Sequence, residues 1–163
     1  MPPGKPAAGL QRHGNRLLAA LPSAEYRHLL ALLEGVTLNR GEVLYEAGLA
    51  IPYLYFPVEA VVSLLASAEG PEIEPVGFEG AVGISLALGS DISSSRALVQ
   101  ASGRALRITA AHFRKVFAQC PALQRALYRY AAATLAQARQ TIACNLHSFP
   151  TRRSSDLDRK SVV

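Results

Sequence analysis

Tyr53-Leu54-Tyr55-Phe56-Pro57, then Val58-Glu59-Ala60, then Val61-Val62-Ser63-Leu64-Leu65-Ala66: this stretch decides the fold. Its two flanking runs are short and rich in β-branched and aromatic residues, and they read as paired strands. The same alternation of apolar runs and turn residues continues on both sides. Upstream, Val36–Leu38 and Val43–Tyr45 flank the turn Asn39-Arg40-Gly41-Glu42, and Glu46-Ala47-Gly48 follows. Downstream, Glu69-Gly70-Pro71 leads into Ile73–Phe78. A small apolar segment, Gly80–Gly89, comes next, and Ala97–Ala101 and Arg104–Ile108 then flank the turn Ser102-Gly103. Several strands at spacings of roughly 8 to 12 residues predict an antiparallel sandwich or barrel.

Helical spacing brackets this block. Asn15 is placed to cap a short helix over Arg16–Leu21. Ser23 is placed to cap a second, whose apolar face is Leu29, Leu30, Leu32 and Leu33 over Glu25–Glu34, with Gly35 as its stop. After the strands, Thr109 caps Ala110–Ala118, with Phe113, Val116 and Phe117 turned inward, and Cys120-Pro121 restarts the chain. From Pro121 to about Leu146 no Gly or Pro occurs, and the stretch is rich in Ala, Leu, Gln and Arg. A helix of about 25 residues, roughly 37 Å long, outruns a small roll. Its far end needs a partner, and a second copy of the same helix is the simplest one. The expected dimer face is Leu123, Leu127, Tyr130, Thr134, Ala138 and Thr141, with Ala133 and Gln137 beside it.

The chain is thus expected to be mainly β with flanking helices: an antiparallel β sandwich or barrel plus a long C-terminal dimerisation helix. Residues 1–14, rich in Pro, Gly and Ala, read as a mobile leader, 15–120 as the strand-bearing domain with its short flanking helices, and 121–147 as the dimerisation helix. Residues 148–163 have no period of 2 or 3.6 and read as a non-native tail.

The 163 residues carry a net charge of +5. Arg152, Arg153, Arg159 and Lys160 against Asp156 and Asp158 put +2 of it in the last fourteen residues, so the folded part has a weak electrostatic claim on nucleic acid. No apolar run approaches the roughly 20 residues of a membrane span, and the N-terminus lacks a secretory core, so a cytoplasmic protein is expected with no membrane partner. Cys120 and Cys144 are expected to be partly buried thiols rather than a disulfide. No cysteine precedes Cys120, which disfavours an iron–sulfur centre. His13, His28, His112 and His147 fit surface or capping roles better than haem ligation. No metal site is expected. Gly83-Ile84-Ser85-Leu86-Ala87 approaches a nucleophile elbow, with Asp91 and His112 following in hydrolase order, but the last glycine and the parallel sheet are missing. No enzyme is expected.

In order and spacing, these elements resemble the Crp/Fnr family of bacterial transcription regulators over Asn15–His147. The likeness is carried by Asn39–Gly48, by Tyr53–Pro57 with Val61–Leu65, by Val76-Gly77-Phe78-Glu79-Gly80-Ala81-Val82-Gly83, and by Leu98–Ala105. The resemblance implies a cyclic-nucleotide-binding-like jelly-roll sensor domain over residues 15–120, a homodimer through the long helix, and DNA binding through a winged helix-turn-helix that these residues do not contain. It also implies a ligand cassette, in which a Gly-Glu pair takes the ribose and an Arg-Ser pair takes the cyclic phosphate. Here the pairs are Gly83-Ile84 and Ser95-Arg96. The carboxylate is absent, and a one-residue shift on a strand turns the arginine to the other face. The expected pocket is Gly83, Ile84, Ser85, Ser95, Arg96 and Ala97, with Arg139 and Gln140 reaching from the long helix. It is suited to a small-molecule effector but not to a cyclic nucleotide in the ordinary mode, because a buried phosphate would lack its cation. The alternative function is a stand-alone regulatory module acting on a protein partner.

Overall fold

In a computed structural model of the chain, which describes residues 14–148, seven strands form two antiparallel sheets. They are β1 (Glu34–Leu38), β2 (Val43–Tyr45), β3 (Tyr53–Pro57), β4 (Val61–Leu65), β5 (Glu72–Val76), β6 (Arg96–Ala101) and β7 (Gly103–Thr109). One sheet has the order β1-β7-β3 and the other β2-β6-β4-β5. Apart from the consecutive pair β4 and β5, neighbours in each sheet come from distant parts of the sequence, as they must when a chain rolls up. Glu34 pairs with Arg107, Tyr55 with Arg107 from the other side, and Val62 with both Val76 and Val99. The expected jelly roll with a long C-terminal helix is the observed architecture.

Four helices flank the sheets: α1 (Arg16–Ala19), α2 (Ser23–Leu30), α3 (Ala110–Gln119) and α4 (Pro121–Ser148). Leu54, Phe56, Leu106 and Ile108 of the first sheet, Val62, Val76, Ala97 and Val99 of the second, and Leu18, Leu29, Phe113, Val116, Leu123 and Leu127 of the helices form one buried cluster. Each aliphatic or aromatic side chain taken fully out of water contributes about 1.5–3 kcal/mol.

Two local expectations are corrected at α2. Pro22 takes the N-cap position and Ser23 is already helical, with no side-chain cap. Gly35 does not end the helix; it lies inside β1. The apolar spacing runs on to Leu33, which is buried, but the helix stops at Leu30 because Glu34 is required in the ladder opposite Arg107. Asn15 and Thr109 do cap α1 and α3, accepting from the Leu17 and Leu18 amides and from the His112 amide.

The chain divides into two units, residues 1–131 and 132–163. In the first, Glu25 of α2 accepts from the Ala122 and Leu123 amides at 3.3 and 3.1 Å and so caps the first turn of α4. Leu123 and Leu127, expected on a dimer face, are fully buried in the chain's own core. Tyr130 lies with its ring against Gly80, so close that a Cβ added there would stand 2.3 Å from the phenol oxygen. The second unit, in its described part, is the rest of α4. Leu135, Ile142 and Leu146 are exposed there, Thr134 and Ala138 are half-buried, and Thr141 donates to its own Gln137 carbonyl. The leader and tail, apart from Gly14 and Ser148, lie outside the described residues.

Candidate functional site

The cassette begins where Val82 bridges to Tyr55, their amides and carbonyls exchanging 2.9 Å bonds. This fixes Gly83, which turns the chain with φ +99 into a 3₁₀ turn, Ile84–Leu86. Only glycine adopts that φ without strain, and a Cβ would press on the Tyr53 carbonyl at 3.1 Å. The returning segment is tied to the loop before β3. Ser93 donates its amide to Leu49, Gly48 donates to Ser93, and Ile51 donates to Asp91. The buried Ser93 hydroxyl donates to the Ser95 carbonyl at 2.7 Å and accepts the Ser95 amide at 3.1 Å. This turn delivers the chain into β6.

Parity on β6 follows the sequence argument. Ala97 and Val99 are buried in the core, while Arg96 turns to the opposite face. Its Nε lies 3.3 Å from a Glu46 carboxylate oxygen, close enough for ionic attraction but misdirected for a hydrogen bond. Another guanidinium nitrogen donates to the Ala68 carbonyl at 3.0 Å. Ser95, not Arg96, has the inward parity.

Tyr45, which the sequence reading did not assign, meets Ser95 there. It pairs with Ala97 across β2 and β6 and is buried. Its phenol faces the Ser93 and Ser95 side chains and the Gly83 backbone. Burial pushes its pKa up to about 12, only partly offset by those polar neighbours. Thus Gly83, Ser95 and Ala97 are brought together around a residue that only the strand pairing identifies. Ile84 and Ser85 are half-buried in the adjoining turn, and Arg139 and Gln140 are exposed on the second unit.

A second polar group gathers on the β1-β7-β3 sheet. Arg107 donates to Glu34 at 2.8 Å, stacks over Tyr53 with 4.1 Å to the ring centroid, and lies beside the buried Tyr55 phenol. Burial raises the Tyr55 pKa as well. Elsewhere, a groove of about 210 Å³ is lined by Val58, Pro75, Gly77 and Phe78. Its carboxylates are engaged, Glu59 with Arg104 and Glu79 with the Gly77 amide. Asp91 of the hydrolase-like trio is paired with Arg114 at 2.5 Å. Cys120 is buried as expected, whereas Cys144 is exposed, because its part of α4 carries no packing layer of its own.

The two raised phenols make stability depend on alkaline pH. In the unfolded chain a tyrosine ionises near pH 10, and Tyr45 in the fold near 12, so the native state holds its proton longer. Its contribution is full below pH 10 and lost as pH rises to about 12, a loss of about 2–3 kcal/mol. Absorbance at 295 nm should therefore show Tyr45 and Tyr55 ionising late, together with loss of the native circular dichroism. Ionisation of Tyr45 and Tyr55 near pH 10 in a folded chain would contradict this.

No protein-family model matches the chain, and no curated protein does. Solved structures do. A candidate cyclic nucleotide-binding protein from Geobacter metallireducens superposes with a TM-score of 0.63 at 20% identity, over 76% of this chain and 91% of that one. The N-terminal domain of a transcriptional regulator from Streptomyces coelicolor gives 0.56 at 23% identity, over 80% and 95%. The regulatory subunit of a cAMP-independent protein kinase A from Trypanosoma brucei gives 0.60 at 17% identity, over 69% of this chain and 40% of the subunit. Two antiparallel sheets of seven strands and a long C-terminal helix give this chain the jelly-roll fold of cyclic nucleotide-binding regulatory domains.

Proposed function

We propose that the chain is the sensing and dimerising part of a bacterial transcription regulator of the Crp/Fnr type, with DNA contact made by a winged helix-turn-helix encoded beyond residue 148. The observation that carries this reading is the joining of a cassette-bearing roll to a 28-residue helix, whose second half leaves Leu135, Ile142 and Leu146 exposed. Large aliphatic side chains at such spacing favour a second copy of the helix as partner. A change in the roll can then alter how two protomers sit together, which is the usual currency of such switches. The transcriptional-regulator domain among the structural neighbours supports the same reading.

The effector in this proposal is not a cyclic nucleotide held in the ordinary way. Arg96 is engaged outward with Glu46 and Ala68, and Ile84 stands where the resemblance calls for a carboxylate. A catalytic role has less support, because Asp91 is committed to Arg114. Titration calorimetry with cyclic AMP and cyclic GMP should show no binding tighter than about millimolar, roughly −4 kcal/mol. Nanomolar affinity would overturn that part of the reading. The parent gene should encode a winged helix-turn-helix in frame with this chain. An unrelated domain there would overturn the regulator and leave a module acting on a protein partner.

A further inference from the structure

The cassette has two ends, the left-handed turn at Gly83 and the Ser93–Ser95 turn that enters β6. Tyr45 reaches both. Its strand pairs with Ala97 on the core-facing side of β6, and its buried phenol faces the Gly83 backbone, Ser93 and Ser95. Tyr45 is 7% exposed and Ser93 is 3% exposed. The nearest strand cation, Arg96, is held on the opposite face by Glu46 and the Ala68 carbonyl. The polar groups that close the cassette are therefore all neutral: two hydroxyls, a backbone group and a phenol.

We infer that Tyr45 is a built-in occupant of the cassette, a specificity-determining residue that fills the space between its ends and excludes anionic ligands. This rests on the reading of the segment as a ligand cassette. A phenol is satisfied by one or two hydrogen bonds and needs no countercharge. A phosphate in the same place would have to displace the phenol and lie buried without a cation. The space that Tyr45 fills is shaped for an uncharged phenol, so removing the side chain should create a site for one.

Tyr45→Ala in the full chain tests this, with p-cresol, the tyrosine side chain as a free molecule, as the probe. The variant should melt roughly ten degrees below the wild type. Millimolar p-cresol should restore several degrees by binding only the folded form, and it should leave the wild type unmoved. A folded variant indifferent to p-cresol would overturn the inference, as would a wild-type melt raised by p-cresol to the same extent. If Tyr45→Ala does not fold, Tyr45→Phe keeps the volume and removes only the hydroxyl. Amide exchange at Gly83 should then quicken about tenfold or more, and unchanged exchange there would overturn the inference. These outcomes are separate from those of the wider reading: nanomolar cyclic AMP binding by the wild type sinks the non-nucleotide assignment, whereas an indifferent Tyr45→Ala sinks only the occupant.

Discussion

Asn15→Asp should lower the unfolding free energy by about 3 kcal/mol or more at pH 7, although it keeps the residue's size and its capping oxygen. Asn15 is 2% exposed. Its Oδ1 accepts from the Leu17 and Leu18 amides at 3.0 and 3.4 Å, as any good N-cap would. Its Nδ2 donates to the Pro57 carbonyl at 2.8 Å and the Gly80 carbonyl at 3.0 Å, which joins α1 to the end of β3 and to the cassette approach. Aspartate preserves the first pair of bonds and destroys the second. Each buried carbonyl left without a donor costs about 1–3 kcal/mol, and a carboxylate facing two carbonyl oxygens adds a charge with no partner. Asn15→Ala loses the cap too, about 1 kcal/mol more, but carries no charge. The two variants separate by pH. The buried aspartate is favoured in its protonated form, so its pKa is raised in the fold. Its stability should recover as pH falls toward 4 and decline above it, while Asn15→Ala follows the wild type. Urea unfolding at pH 4.5 and 7 reads this directly. An aspartate variant within 1 kcal/mol of wild type would mean that the amide nitrogen's two bonds contribute little.

Asn15 also marks where sequence reading stops. Its position ahead of an apolar helical run announces a cap, a local signal. That the same side chain fastens residues 42 and 65 positions away depends on how the roll closes. The strands were legible for a similar reason. Val43–Tyr45 and Tyr53–Pro57 stand where alternation and flanking turn residues put them, because each short run is bounded by residues that cannot continue it. Parity carried further still: the outward turn of Arg96 follows from the period of two alone. What parity cannot supply is the residue opposite. Tyr45 enters the cassette because β2 pairs with β6, some fifty residues later in the chain, and nothing local to Val43-Leu44-Tyr45 announces that partner. The long helix failed in the complementary way. Leu123 and Leu127 have the spacing of an interface, and a period of 3.6 is the same whether the apolar stripe meets a partner or the chain's own core. Burial assigns them to the core, and α2 reaches over through Glu25 to hold that end of α4 in place.

The dimer proposed above would have its seam further along α4, and the strongest expected effect on assembly follows. Leu135→Lys combined with Ile142→Lys should raise the dimer dissociation constant at least about a thousandfold, or roughly 4 kcal/mol. Leu135 is 55% exposed and Ile142 59%. They stand one heptad apart, with Ala138 at the intervening position of close approach and Leu146 bordering the next turn. Each such side chain buried in a seam contributes about 1.5–3 kcal/mol. Twofold symmetry loses every one twice and sets like charges against each other. Neither residue belongs to the buried cluster of the roll, so the melt of the first unit should stay in place while sedimentation shows monomers. Gln137→Lys with Thr141→Lys, on the stripe of small and polar residues expected from sequence, should change the constant less than about tenfold, or 1.4 kcal/mol. Cysteines give an independent register. With Leu135 and Ile142 at the a positions, Ala138 falls at d and the native Cys144 at c, off the seam. Oxidation should leave the wild type uncross-linked through Cys144 and link Ala138→Cys efficiently. Linkage through Cys144 alone, or dissociation by the Gln137 and Thr141 pair, would return the interface to the stripe of small residues. The switch would then run through a closer and more polar contact than the exposed aliphatic side chains of α4 indicate.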